Sequence, residues 1–154
     1  MNNLLQIYIG ADHAGFALKA TLVDYLSSLE IKVVDVGTDT LDPLDDYPDF
    51  VAPVARAVSE DPKTRKGIFI GGSGQGEAML ANRFPNVRAT VFYGGDMEIV
   101  HLSRFHNDAN ILSFGARFVT EEEAVQAIKI WLETDLSDDP KYQRRIDKAE
   151  NLTT

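Results

Sequence analysis

The sequence predicts an α/β protein in which an open parallel sheet is covered by helices on both sides. Two observations support this fold class. Short apolar segments, several rich in β-branched residues, alternate along the chain with segments of helical spacing. The intervals between them suit consecutive strand–helix–strand units, whose strands run parallel.

Five segments have the length and composition of buried strands. Each is a short apolar run, and the second is rich in isoleucine and valine. The predicted strands are residues 4–10, 31–36, 68–70, 88–92 and 110–114.

The segments that follow these strands carry helical spacing. Pro48 suits the first turn of a helix, and the residues after it place apolar side chains on one face. Thr120 and Glu123 form the pattern of a capping box at the start of another helix. The predicted helices are residues 14–29, a segment that begins at Pro48, and residues 77–84, 96–105 and 120–133.

Residues 138–151 are helix-like but very polar. Such a helix has little apolar surface to bury, so it is either a solvated terminal helix or an arm that packs on a second subunit. Because the chain has no linker, repeat or low-complexity segment, we expect residues 1–154 to form one domain.

The composition is that of a globular protein, with 44% hydrophobic and 25% charged residues. A formal charge of -9, from 24 acidic and 15 basic residues, argues against a general nucleic-acid-binding role. The lack of cysteine excludes disulfides, thiol chemistry and cysteine-ligated metal, and it fits a reducing compartment. We find no signal-peptide pattern and no membrane-spanning run, so a cytoplasmic location is expected.

The most informative segment is residues 68–77, IFIGGSGQGE. Four glycines within six residues follow a predicted strand, and Glu77 falls in the first turn of the next helix. Glycines at such a turn let backbone N–H groups approach a ligand oxyanion, and a carboxylate beside them suits proton abstraction next to a carbonyl. The alternative is a tight turn followed by a glutamate that the helix dipole favours.

Other polar segments flank the ends of the predicted strands. Ligands of open parallel sheets bind beyond the carboxyl ends of the strands, so we expect these segments to share that edge. Asp12 could instead cap a helix, and a single histidine such as His13 need not be functional. The segments are residues 10–15, 45–48, 106–108 and 115–117.

Several familiar motifs are not matched. The glycines from Gly72 run G-x-G-x-G, which is neither the dinucleotide fingerprint nor a phosphate-binding loop followed by lysine. Ser73 lacks the G-x-S-x-G context of a hydrolase nucleophile. His101 and His106 are five residues apart, which does not suit paired metal ligands on one helix, so no metal site is predicted.

Four basic residues could bind a phosphate group, because arginine forks bind phosphate oxygens bidentately. Alternatively they form a surface patch that balances an acidic protein. They are Arg117, Lys141, Arg144 and Arg145.

Taken in order, these motifs resemble the ribose-5-phosphate isomerase type B family, which also includes the galactose-6-phosphate isomerase subunits. The resemblance runs from residue 5 to residue 147, and the ordered set carries it rather than any single motif. The motifs are GADHAG at 10–15, DYP at 46–48, GGSGQGE at 71–77, AN at 81–82, HN at 106–107, GAR at 115–117 and QRRID at 143–147.

This resemblance implies a Rossmann-like αβα sandwich with a five-stranded parallel sheet and a C-terminal helical arm. It implies a homodimer or homotetramer with active sites between subunits, a sugar phosphate as ligand, and no metal or organic cofactor. No nucleic-acid or membrane partner is expected. The implied activity interconverts an aldose phosphate and its ketose, foremost D-ribose 5-phosphate and D-ribulose 5-phosphate.

The resemblance also implies a role for each residue of the glycine turn. Glu77 is the base that moves a proton between C1 and C2 of the open-chain sugar through a cis-enediolate, since Ser73 stands where many members have cysteine. Ser73 then donates a hydrogen bond. The amides of Gly72, Gly74 and Gly76 stabilise the enediolate oxygen.

Outside the glycine turn, the implied roles concern the sugar and its phosphate. Asp12 binds sugar hydroxyls near the reacting end, His106 assists opening of the furanose ring, and Asn107 holds the developing oxyanion from the neighbouring subunit. Tyr47 lines the sugar pocket. The implied phosphate ligands are His13, Arg117, Lys141 and Arg145.

Two residues depart from the family pattern, in which Arg-His often stands where this chain has Lys141 and Tyr142. Lysine keeps the positive charge but loses the bidentate fork, and Tyr142 removes an imidazole. These changes bear on the substrate more than on the reaction type, so a hexose phosphate such as allose or galactose 6-phosphate is an alternative. A catalytically silent phosphosugar-binding module is another.

Overall fold

A computed structural model describes residues 5–153 of the chain. This part of the chain contains one five-stranded sheet and six α-helices. The strands are β1 (Gln6–Ala11), β2 (Lys32–Asp35), β3 (Arg65–Gly71), β4 (Ala89–Phe92) and β5 (Ile111–Gly115). The helices are α1 (Phe16–Ser28), α2 (Pro48–Glu60), α3 (Gln75–Ala81), α4 (Glu98–Asn107), α5 (Glu121–Glu133) and α6 (Pro140–Thr153).

All neighbouring strands are parallel, in the order β2-β1-β3-β5-β4. The predicted α/β fold class, with its five-stranded parallel sheet, is therefore confirmed. After β2 the chain returns to the other side of β1 to form β3. The crevice beyond the carboxyl ends of β1 and β3 is consequently the region where such a sheet binds ligands.

Apolar side chains pack on both faces of the sheet, which makes the molecule a three-layer sandwich. Trp131 of α5, fully buried, belongs to the larger core, and α2 packs on the opposite face through Val54 and Val58. Among the helices within residues 5–153, none combines the length and the apolar character that crossing a membrane requires.

The predicted boundaries differ from the observed ones where backbone pairing or a cap decides them. β3 begins at Arg65, three residues before the predicted start, because its polar first residues pair with β1 from Gln6 onward. The predicted helix 14–29 is divided, since Asp12 caps a short 3-10 turn (His13–Gly15) before α1 begins. Leu4, the predicted start of the first strand, lies outside the described residues.

The polar C-terminal segment forms α6 and lies against α4 of the same chain. Arg88, just before β4, forms an ion pair of 3.1 Å with Glu150, and Tyr142 stacks on His106 at the end of α4. Much of the outer face of α6, including Arg144 and Arg145, is exposed.

Candidate active site

The turn between β3 and α3 is built so that backbone N–H groups are available to a ligand. Gly74 has a φ of +75°, and a Cβ built there would lie 2.9 Å from the backbone of Phe114, so only glycine fits. Within residues 5–153, no hydrogen bond uses the N–H groups of Gly72, Ser73 or Gly74. Three consecutive donors of this kind can bind an oxyanion.

Glu77 lies in the first turn of α3, as predicted, and its side chain is buried with only 5% exposure. A Cβ built on Gly71 would collide with the Glu77 carboxylate, so the carboxylate rests against the end of β3. Burial raises the pKa of Glu77. A backbone hydrogen bond opposes this rise in part, and the negative charge of Asp12 adds a smaller increase. A carboxyl group in this state is suited to take up and return a proton.

Ser73 is exposed in the middle of the turn, and its Oγ accepts a long hydrogen bond of 3.4 Å from the N–H of Gln75. This contact leaves the hydroxyl proton free to donate. Within the described residues no histidine or carboxylate is bonded to Oγ, so Ser73 lacks the base that would make it a nucleophile.

Asp12 and His13 follow β1 at the same edge of the sheet. The Oδ1 of Asp12 accepts hydrogen bonds from the N–H groups of Ala14 and Gly15, at 2.9 and 3.3 Å. Asp12 thus acts as a cap, which is the structural role that the sequence offered as an alternative. It also lies close enough to raise the pKa of Glu77. The two roles coexist in one side chain.

His13 is held by Asp45, which comes from the loop between β2 and α2. Asp45 Oδ1 lies 2.6 Å from His13 Nδ1 and 3.1 Å from the backbone N of His13. Its side chain is only 8% exposed, and Oδ2 is buried without a hydrogen-bond partner among the described residues. Asp45 therefore fixes the ring of His13 and leaves Nε2 as the nitrogen that can bind a ligand.

Donor atoms of Asp12, His13 and Asp45 lie within 4.8 Å of one another, close enough to share a metal ion. However, the Nδ1 of His13 already shares its short hydrogen bond with Asp45. A metal bound through that nitrogen would have to displace this bond, so the arrangement fits an oriented histidine better than a metal site.

Tyr47 and Arg117 cover the glycine turn from two sides. A Cβ built on Gly76 would lie 2.9 Å from the hydroxyl of Tyr47, and one built on Gly72 would lie 3.2 Å from the guanidinium of Arg117. The structure thus brings the phenol, the guanidinium and the turn together. At this edge lie nine predicted site residues: Asp12, His13, Tyr47, Gly72, Ser73, Gly74, Gly76, Glu77 and Arg117.

His106 and Asn107 lie at the opposite edge, and the expectation that they share the carboxyl edge is wrong. They end α4, which runs back toward the amino ends of the strands, and the carbonyl of Asn107 accepts a hydrogen bond of 3.0 Å from Arg88 just before β4. From Ile111 to Gly115, β5 alone spans about 13 Å between the two edges. One chain therefore does not bring His106 near Glu77.

The two predicted phosphate ligands of α6 also belong to this amino edge. Lys141 Nζ lies 4.8 Å from the ring centre of Tyr142, and the Arg145 guanidinium carbon lies 5.7 Å from it. Lys141 also forms an ion pair of 2.8 Å with Asp139, which raises the pKa of Lys141. Four predicted site residues thus form a second group: His106, Asn107, Lys141 and Arg145.

Sequence reasoning did not predict three contacts of the two groups. These are Asp45 with His13, Gly71 with the Glu77 carboxylate, and Tyr142 with His106. Asp45 is 32 residues from His13, and no periodic pattern reports a contact across that distance. The opposite placement of His106 could have been inferred, since a residue between a helix and the following parallel strand lies at the amino edge.

Comparisons with known proteins identify the family of this chain. The sequence profile described as Ribose/Galactose Isomerase matches residues 7–149. Ribose-5-phosphate isomerase B of Mycolicibacterium paratuberculosis is 36% identical over 143 residues, covering 93% of this chain and 88% of that protein. The Escherichia coli protein of the same name is 36% identical over 142 residues, covering 92% of each chain.

Solved structures of this family have a similar fold. Ribose-5-phosphate isomerase B of Mycoplasma genitalium, crystallised with bound ribulose-5-phosphate, superposes with a TM-score of 0.92 at 34% identity, covering 96% of this chain and 95% of that one. The type B enzyme of Trypanosoma brucei gives a TM-score of 0.88 at 31% identity, covering 96% and 98%.

Proposed function

The chain belongs to the ribose/galactose isomerase family, and we propose that it is an isomerase that interconverts D-ribose 5-phosphate and D-ribulose 5-phosphate. The observation that carries the proposal is the buried carboxylate of Glu77 beside a turn with three free backbone N–H groups. Aldose–ketose isomerisation needs a base that moves one proton and donors that stabilise one oxyanion.

In the proposed mechanism, the sugar ring opens first. The C1–O4 bond of the furanose breaks, its electron pair goes to O4, and O4 takes a proton from His106. The C1 hydroxyl gives its own proton to a solvent water molecule and becomes the carbonyl. Asp12 binds the hydroxyls near C1 and C2. The product of this step is the open-chain aldehyde.

Glu77 then removes the proton from C2, and the electrons move to the carbonyl oxygen O1. The free N–H groups of Gly72, Ser73 and Gly74 stabilise the resulting cis-enediolate, together with the N–H of Gly76. The hydroxyl of Ser73 and the amide of Asn107 add two further donors. The hydroxyl proton of O2 moves to O1, and Glu77 returns its proton to C1. The carbonyl now lies at C2, and the carboxylate is regenerated.

The phosphate group of the substrate needs more positively charged ligands than the carboxyl edge of the sheet supplies. His13 and Arg117 lie at the carboxyl edge together with the acids Asp12, Asp45 and Glu77. Lys141 and Arg145 lie at the amino edge of the same chain. We therefore propose a homodimer, or a dimer of dimers, in which α6 and the end of α4 of one subunit complete the site of the other.

Residues 138–151 are the inter-subunit arm in this proposal, and residues 1–154 act as one domain. Arg144 and Arg145 support it, because both are exposed and can therefore reach a phosphate group bound at the site of another subunit. Tyr47 lines the sugar pocket. We place the reaction in the cytoplasm, since phosphorylated sugars carry charges that do not cross membranes readily.

The test follows the reaction by NMR in deuterated water with D-ribose 5-phosphate, with and without EDTA. We expect ribulose 5-phosphate to form, deuterium to enter at the exchanging carbon, and EDTA to have no effect. Turnover confined to allose or galactose 6-phosphate would assign a hexose phosphate instead. Binding of ribose 5-phosphate without conversion or exchange would identify a silent binding module.

A further inference from the structure

His106 lies in the last turn of α4, and two aromatic rings contact its imidazole ring. The centroids of the His106 and Tyr142 rings are 4.4 Å apart with 12° between their planes, which is a face-to-face stack. Phe105 lies 5.6 Å from the His106 ring at a tilt of 44°. Of these contacts, the stack on Tyr142 is the closer and the more nearly parallel.

No hydrogen bond within residues 5–153 uses either ring nitrogen of His106. This differs from His13, whose Nδ1 is bonded to Asp45. A carboxylate partner fixes a ring by occupying one nitrogen, whereas a stacked ring fixes the plane and leaves both nitrogens at the edge of the stack. For a group that must deliver a proton to substrate, the second arrangement keeps both nitrogens available.

Tyr142 is itself fixed in place. Its backbone N–H donates to the carbonyl of Asp139 at 3.1 Å in the first turn of α6, its ring lies 6.3 Å from Phe105, and the Lys141 and Arg145 cations lie over it. α6 thus presents a fixed aromatic face to the last turn of α4.

We propose that Tyr142 is the positioning residue for His106, holding the imidazole plane by stacking so that its nitrogens face the sugar ring when that ring opens. This inference rests on the proposed function. Tyr142 does not touch the reacting atoms, and at saturating substrate its effect on the reaction is confined to the step that His106 performs. Lys141 and Arg145, which also contact its ring, act in phosphate binding and therefore on KM.

Ring opening and proton transfer can be measured separately, because ribulose 5-phosphate has no furanose ring to open. Glu77 exchanges a C1 hydrogen of ribulose 5-phosphate with solvent deuterium without any help from His106. Turnover of ribose 5-phosphate, in contrast, requires both steps. A residue that acts through His106 must therefore affect turnover of ribose 5-phosphate more than exchange into ribulose 5-phosphate.

The experiment compares three full-length variants with the wild-type protein in both assays. Tyr142→Leu keeps apolar bulk but removes the aromatic face, Tyr142→Phe keeps the face, and His106→Ala removes the group being positioned. We expect Tyr142→Leu to slow turnover of ribose 5-phosphate about tenfold, as the loss of one aromatic pair allows, with exchange nearly unchanged. His106→Ala should give the same pattern more strongly, and Tyr142→Phe should match the wild type.

Each other outcome overturns the inference. Equal losses in both assays would mean that Tyr142 only supports the fold, and unchanged turnover in Tyr142→Leu would mean that the stack has no role. A defect in Tyr142→Phe as large as in Tyr142→Leu would assign the effect to the hydroxyl instead of the ring. If the wild-type protein neither converts nor exchanges these sugars, the proposed function fails, and this inference fails with it.

Discussion

The Glu77 carboxylate lies directly against Gly71, at a distance that excludes any side chain at position 71. β3 thus ends in a glycine because the next helix directs its carboxylate back over the end of the strand. This contact removes Glu77 from water, and burial is the first cause of its raised pKa. The glycine and the chemistry proposed for Glu77 are therefore linked.

Gly71→Ala should destabilise the protein by about 1–3 kcal/mol, since the added methyl group overlaps the carboxylate. In a Glu77→Ala background the same substitution should cost much less, because the colliding group is gone. A double-mutant cycle of urea unfolding measures this difference. Equal costs in both backgrounds would mean that the methyl group meets the surrounding backbone rather than Glu77.

Glu77→Gln should lower kcat for ribose 5-phosphate by about 10²- to 10⁴-fold, the usual contribution of a general base. The amide has nearly the same shape but cannot accept the C2 proton, so phosphate binding and the melting temperature should change little. Steady-state kinetics and thermal unfolding measure both properties.

Glu98→Gln is the matched control, because Glu98 is also a glutamate in the first turn of its helix, α4, but is exposed. It should be fully active. If the two variants behaved alike, Glu77 would be a helix-start residue that the dipole favours, which is the structural alternative considered for it.

Asp45→Asn should raise the KM for ribose 5-phosphate several-fold and leave kcat nearly unchanged. The neutral amide no longer offers a charged oxygen to both N–H groups of His13, so the imidazole loses its fixed orientation toward the phosphate. Weaker inhibition by inorganic phosphate should accompany the change. Asp39→Asn, on an exposed residue of the same loop, should alter neither constant, and a loss of kcat alone in Asp45→Asn would contradict the assignment.

Lys66 provides a pH-dependent test of stability away from the site. Burial lowers its pKa to about 8, with the Arg104 charge adding to the effect. The unfolded chain therefore holds this proton more tightly, so this group lowers stability below about pH 8, and the penalty disappears as pH rises toward 10.5, its ordinary value.

Lys66→Met should accordingly raise the free energy of unfolding at neutral pH by at most about 3 kcal/mol. The gain should be smaller than this limit, because Lys66 is partly exposed and water screens its charge. The gain should shrink steadily between about pH 8 and pH 10. Lys63→Met, on an exposed lysine of the same cleft, should give no such trend in denaturation curves recorded across this range. A gain independent of pH would attribute the effect to packing against Trp131.

Local patterns predicted the parts of this structure that depend on neighbouring residues. Apolar periodicity gave the five strands, and the glycine run placed Glu77 correctly in the first turn of α3. The contact between Asp45 and His13 could not be predicted in this way, because it depends on how a long loop folds over the sheet. The edge at which His106 lies depends on the direction of α4, a property of topology and not of the residues around it.

The last prediction concerns the two groups of site residues at opposite edges. If each active site takes Glu77 from one subunit and His106 from the other, the inactive variants Glu77→Gln and His106→Ala should restore each other. In a mixed dimer, one site carries both substitutions and the other carries neither. The purified mixed dimer should then turn over ribose 5-phosphate at about half the wild-type rate, although neither parent does so.

The opposite arrangement gives the opposite result, which makes the measurement decisive. If each subunit worked with its own Glu77 and His106, every site of the mixed dimer would lack one of them, and activity would stay at the level of the parents. A control dimer pairs a wild-type subunit with a Glu77→Gln/His106→Ala subunit. Shared sites leave this dimer inactive, because each site then lacks one residue, whereas separate sites leave it about half active. Two differently tagged copies expressed together supply both dimers, and the ratio of their rates decides whether the groups at the two edges of the sheet form one active site.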